Sequence, residues 1–160
     1  MFGLTTLGLF HTAVSLIAVA AAVIALFRYR EISCNNSLGK TYVITTAITC
    51  LTGFGIFQHG GFGKPHVLGI ITLLVLAVAL LAERTTLFGR LARYVAVVSY
   101  SATVLFHMIP AITETSTRLP LGHPLLTSAE DPALKTATAV LLLLFLIGAG
   151  LQVRRLRAGR

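Results

Sequence analysis

Five histidines are the residues of this chain best suited to chemistry. His11, His59, His66 and His107 stand in or beside apolar runs, and His123 lies in a more polar stretch. Imidazole is the commonest metal ligand near neutral pH, and an ionisable group within a membrane span is costly unless it faces other helices and finds a partner there. Two chemistries suit such a set. A b-type haem needs axial imidazoles from facing helices and an apolar slot, which Phe54, Phe57, Phe62 and Phe106 would help to line. A bare copper, zinc or iron ion needs three or four ligands at about 2.0 to 2.3 Å. For either cofactor His11, His66 and His107 are the first choices and His59 the fourth, with Glu114 as a further metal ligand. Spacing alone does not choose between the two.

The same residues have a plainer reading. His59 and His66 flank the turn Gly60-Gly61-Phe62-Gly63-Lys64-Pro65, where a capping or interfacial histidine is ordinary. A hydrogen bond to a threonine or carbonyl of a neighbouring helix accounts for His11 and His107, and His123 reads as a loop residue. Glu114 and Arg118 form either an ion pair over the site or a solvated pair worth little. The chain holds no Ser/His/Asp set, phosphate-cradling glycine loop or Walker motif that would name a reaction.

The elements that would position these side chains are apolar helices. With 56% hydrophobic residues, 11% charged residues and a mean hydropathy of +0.87, the chain has the composition of a membrane-embedded helical protein. Its 160 residues allow several spans of about 20 residues and no sizeable soluble domain. The pattern predicts an all-α bundle of five transmembrane helices, at about 8–27, 41–59, 66–82, 94–112 and 134–153. Within the second, Thr45, Thr49, Thr52, Ile56 and His59 would share a narrow helix face. Ser99, Thr103, His107 and Pro110 share a face of the fourth, and winding past Pro110 would bring Glu114 near it. Residues 113–131 read as a loop.

Charge sets the expected orientation. Arg28, Arg30, Lys40, Arg84, Arg90, Arg93, Arg154, Arg155, Arg157 and Arg160 gather on one side of the predicted bundle, against Lys64, Arg118 and Lys135 on the other. The bias predicts an outer amino terminus and a cytoplasmic carboxyl terminus, in a bacterial inner membrane. Basic residues precede no signal-like segment at the start, so the first span is expected to remain. All five histidines then fall towards the outer side, four of them within roughly the outer 10 Å of the core. The formal charge of +8 reads as topology and contact with anionic lipid, above all at the basic tail, rather than as a nucleic-acid surface. Cys34 and Cys50 lack metal spacing and are expected at different depths, unpaired.

Three stretches carry a likeness: Leu38-Gly39-Lys40-Thr41-Tyr42-Val43, Gly61-Phe62-Gly63-Lys64-Pro65-His66-Val67-Leu68, and Phe106-His107-Met108-Ile109-Pro110 running on to Arg118-Leu119-Pro120. Over helices two to four the chain resembles a broad family of predicted multi-pass bacterial membrane proteins of unknown function. Such proteins often carry a histidine just before the Leu-Gly element, where this chain has Asn36-Ser37. The resemblance supports the helix layout and draws attention to His66 and His107, and it implies no activity. The leading expectation is a haem b or transition-metal centre with a redox role, served by a membrane redox partner or quinone. A non-catalytic membrane subunit or transport component with structural or pH-sensing histidines is the first rival. A zinc-dependent hydrolase acting on lipid is the second.

Overall fold

The computed structural model describes residues 5–57 and 61–159, and the described residues form five α-helices with no strand. Helix α1 spans Thr6–Tyr29, α2 Ser37–Gly53, α3 Lys64–Arg84, α4 Ala92–Arg118 and α5 Pro132–Ala158, with a short 3-10 turn at Gly89–Leu91 before α4. Local chemistry sets most boundaries. Thr5 and Asn36 accept hydrogen bonds from Gly8 N and Gly39 N, and Asp131 accepts one from Ala133 N, so each caps a helix start with a side-chain oxygen. Proline occupies the first turn of α3 and α5, where its missing N–H is not needed. Arg30 closes α1 in the left-handed conformation, its N–H bonded to Leu26 O.

Among the described residues four segments are long and apolar enough to cross a membrane: Thr6–Tyr29, Lys64–Arg84, Gly89–Arg118 and Pro132–Ala158. Helix α2, with 17 residues, spans only about 25 Å. It starts earlier than its hydropathy suggests and stops at Gly53, because Gly53 and Gly55 weaken its carboxyl end and the backbone turns at Phe54. The expected stripe therefore ends at Thr52: Ile56 lies beyond the helix, and His59 falls outside the described residues. The opposite correction applies to α4. The helix passes through Pro110 and continues to Arg118, so residues 113–118 are helical rather than part of a loop. Pro110 lacks the N–H that would bond Phe106 O, yet the helix winds on past it, and in the turns beyond Thr113 Oγ1 donates to Ile109 O and Thr117 Oγ1 to Thr113 O. Glu114 and Arg118 become an i,i+4 ion pair on the last turns of α4.

Helix α1 packs chiefly on α2, α3 on α4 and α5 on α4, with lesser α2–α3 and α1–α4 contacts closing the group. The core is built on small residues. Ala18, Ala21, Ala22 and Ala25 make one buried stripe of α1, and Ala79, Ala82 and Ala96 serve α3 and α4 in the same way. Small side chains let helices approach closely where lipid offers no hydrophobic drive between them. The space they leave is filled by Tyr42 and Tyr100, both fully buried. Large apolar residues such as Leu16, Phe27, Leu74, Leu143 and Ile147 face outwards, the surface that a bundle in lipid would present.

Side-chain contacts establish which ends lie together. Arg155 Nη1 donates to Tyr29 O at 2.9 Å, Gln152 Nε2 to Arg30 O at 3.2 Å, and Arg93 Nη2 lies 3.4 Å from Glu31. The carboxyl ends of α1 and α5 thus meet the start of α4, in a strongly basic end of the bundle. At the opposite end Lys64 pairs with Glu130 at 2.7 Å; this hydrogen bond, with the lysine charge, holds the Glu130 carboxyl below its ordinary range. Both cysteines are free and buried.

Gly39 is the tightest point of the fold. A Cβ there would meet Ser33 O at 1.9 Å and Ser33 C at 2.5 Å, both backbone atoms that cannot step aside. Gly39→Ala is expected to abolish or severely reduce the folded yield in detergent, whereas Gly150→Ala, whose Cβ would meet nothing within 4 Å, should match the parent in size-exclusion profile and thermal midpoint.

Candidate functional site

The interior polar groups fall into four settings: Glu83 at the basic end, His107 in the middle of the bundle, and His11 and His66 towards the other end. At the basic end the Glu83 carboxylate gathers neutral donors from two other elements. Ser33 Oγ donates to Oε1 in a short bond, Cys34 N–H reaches both oxygens at 3.0 and 3.1 Å, and Tyr100 OH donates to Oε2 at 2.7 Å. Asn35 Nδ2 adds a longer contact at 3.4 Å, and Cys34 Sγ lies 3.5 Å from the Tyr100 hydroxyl. One carboxylate thereby fixes the α1–α2 loop against α3 and α4. Bonds to a charged acceptor contribute roughly 1.5 to 3 kcal/mol each, about twice the neutral value.

The predicted third span ends at about residue 82 and leaves Glu83 without a role, yet the sequence holds a signal. A carboxylate in the last turn of a helix opposes the macrodipole, whose negative end favours Lys, Arg or His. An acid in that position, next to an apolar span, needs donors from elsewhere.

In the middle of the bundle His107 Nε2 lies 3.1 Å from Thr46 Oγ1, and its ring meets Tyr42 edge-on with centroids 6.1 Å apart. Thr46 also faces the Tyr42 hydroxyl. The Tyr42 hydroxyl shares a 2.6 Å hydrogen bond with Thr103 Oγ1, and Thr103 Oγ1 donates to Tyr100 O at 2.8 Å. Because the Thr103 proton is committed to a backbone carbonyl, Tyr42 is the donor in the Tyr42–Thr103 bond. The series therefore ends on a peptide oxygen. It clamps α2 to α4, but a proton cannot pass along it to Glu83.

Higher up, His11 Nδ1 lies 3.1 Å from Thr52 Oγ1, and Thr52 also bonds Ile48 O at 2.8 Å. Gly53 makes room for this imidazole, since a Cβ there would stand 3.2 Å from His11 Cε1. Thr46 and Thr52 are six residues apart, about 9 Å of rise and roughly a third of a turn around α2, so the two imidazoles dock at different heights and on different faces.

His66 occupies the fourth setting. It is 6% exposed, with Phe57 stacked on it at 5.1 Å and Phe62 at 5.2 Å. The aromatic slot expected to receive a macrocycle is thus filled here by the imidazole itself, while Phe54 packs edge-on against Gly69 of α3. Gly63 N donates to His66 Nδ1 at 3.2 Å, closing a reciprocal cap at the start of α3. A neutral imidazole whose Nδ1 accepts a hydrogen bond carries its proton on Nε2. That Nε2–H is buried and has no partner, a state that costs about 1 to 3 kcal/mol.

Of the expected ligands, His11 and His107 are each bonded to a threonine of α2, His66 caps α3, Glu114 is paired with Arg118, and His59 lies outside the described residues. Among the described residues no group of three or more His, Cys, Asp or Glu is arranged to hold a metal ion. His123 is an exposed residue between α4 and α5.

If Thr46 and His107 act as an interhelical pair, their removal is not additive. A double-mutant cycle of His107→Ala and Thr46→Ala, read by reversible unfolding in detergent, is expected to give a coupling of about 0.6 kcal/mol and no more than about 1.7 kcal/mol, the range for such bonds between membrane helices. His107→Ala with Thr52→Ala should show none.

No family model matches the chain, and neither curated proteins nor solved structures yield a match.

Proposed function

We propose that the chain is a non-catalytic helical component of a membrane assembly, a subunit or transport component whose interior histidines hold helices together. The observation that carries this reading is the engagement of the imidazoles: His11 and His107 each spend a ring nitrogen on a threonine of α2, and His66 spends Nδ1 on its own helix start. A haem or metal centre would need ring nitrogens of several of these histidines to converge within about 2.0 to 2.3 Å of one point, whereas the threonines that hold His107 and His11 stand six residues apart on α2. For His66 the tautomer opposes ligation as well, since a protonated Nε2 offers no lone pair.

The bundle itself supports a scaffold role. Helix α5 packs mainly on α4 and leaves Val140, Leu143, Leu146 and Leu151 turned outwards, an apolar surface suited to lipid or to another helix. For placement, we propose a bacterial cytoplasmic membrane, with the end bearing Arg93, Arg155 and Arg157 on the cytoplasmic side, as the positive-inside rule favours. Helix α2, with residues 54–57, would complete a fifth membrane-embedded segment shielded by α1 and α3.

Absorption spectra of the protein purified from membranes, oxidised and reduced, together with elemental analysis, test this reading. The expected result is no haem band and no copper, zinc or iron in stoichiometric amount. A haem band or bound metal at one per chain, lost in His107→Ala or His66→Ala while the protein stays folded, would contradict it.

A further inference from the structure

The α4–α5 seam carries two adjoining hollows of different character. The first, about 270 Å³, is apolar and runs between α4 and α5 beside the end of α1, lined by residues including Val104, Leu105, Met108, Leu141, Phe145 and Gly148. Its polar limit is the pair Ser101 and Gln152, bonded at 2.9 Å. The second, about 280 Å³, lies at the basic end and is lined by Arg93, Tyr94, Arg155, Leu156 and Gly159.

The spacing of their linings joins the two. Residues seven apart return to the same helix face, about 20° short of two full turns. Met108, Ser101 and Tyr94 stand in one such series on α4, and Leu141, Gly148 and Arg155 in another on α5, with Phe145, Gln152 and Gly159 beside it. The hollows therefore follow one another along the groove between the same faces of α4 and α5, the longer stretch apolar and the end cationic. From Leu141 to Arg155 the helix rises about 21 Å. One leaflet provides roughly 15 Å of hydrocarbon and a further 5 to 7 Å of headgroup region.

We infer that this groove binds one anionic glycerophospholipid, an acyl chain lying between α4 and α5 and the phosphate between Arg93 and Arg155. Charge complementarity selects this occupant over a neutral lipid. Arg93 is 67% exposed in its side chain and spends one Nη2 contact on Glu31 at 3.4 Å, and Arg155 spends Nη1 on Tyr29 O. A guanidinium has five N–H donors in a planar fork, so each retains donors for phosphate oxygens. Glu31 is the acid paired with Arg93 and offsets part of its charge. The inference is independent of how the histidines are used and requires only that the bundle be embedded in lipid.

Native mass spectrometry of the purified full chain, titrated with phosphatidylglycerol or phosphatidylcholine, provides the test. The expected result is one phosphatidylglycerol retained per chain and no comparable retention of phosphatidylcholine. Arg93→Gln and Arg155→Gln should each weaken retention about fivefold, as expected for one cation near an anionic headgroup. Gly148 lines the apolar hollow and a Cβ there meets nothing within 4 Å, so Gly148→Leu puts a side chain into the hollow and should abolish retention; Gly150→Leu, whose Cβ is equally open but off the lining, should leave it intact. Equal retention of both lipids, or retention unchanged in Gly148→Leu, would overturn the proposal. So would a dimer that carries no lipid and that Gly148→Leu dissociates, because the groove would then hold a second copy.

Discussion

The Glu83 carboxylate is the contact on which the remaining structure leans. It sits at the unfavourable end of α3, where only external donors make a negative charge tolerable, and those donors come from the α1–α2 loop and from α4. Satisfying one acid therefore fixes three elements at once. The loop so held contains Ser33, whose carbonyl abuts Gly39 closely enough to exclude any larger residue, and this sets the angle at which α2 leaves. With α2 placed, Tyr42 and Thr46 reach α4, and Thr52 reaches α1. Position is thus handed along the bundle by polar contacts, each short in reach and directional.

Such contacts matter because the apolar ones discriminate poorly in lipid. A leucine loses little by exchanging a neighbouring helix for an acyl chain, so packing of small residues and interhelical hydrogen bonds must select the arrangement. The chain divides the work accordingly. Alanines of α1, α3 and α4 allow close approach, the buried tyrosines fill the gaps they leave, and threonines of α2 supply hydroxyls to two histidines and a tyrosine. The histidines act within this economy as hydrogen-bonding partners. His66 is only half satisfied: its Nδ1 accepts from Gly63 N, while its Nε2–H is buried between Phe57 and Phe62 without an acceptor.

Much of the architecture is written in hydropathy and charge. The positions of α1, α3 and α5 follow from runs of apolar residues bounded by Arg28, Arg84 and Arg154, and the ends that meet in space are those the basic residues mark. The helix ends set by backbone geometry were harder to read. Hydropathy continues past Gly53, although the helix does not, and Pro110 suggests an ending that α4 ignores. The histidines were legible as interior groups on different helices, but depth along a span does not determine direction around it. That angular difference separates His11 from His107 on α2, and a turn at Phe54 brings Phe57 over His66. Glu83 was visible as an acid in the wrong half of a helix dipole, whereas its donors, some fifty residues earlier and seventeen later, were not.

Hydrogen–deuterium exchange of the α1–α2 loop in lipid nanodiscs tests the dependence on Glu83 most directly. In the parent protein the Cys34 amide should be strongly protected, and in Glu83→Ala its exchange should rise by about tenfold or more, matching the loss of a bond to a charged acceptor, while α5 stays unchanged. Equal protection of that loop in both proteins would contradict the account.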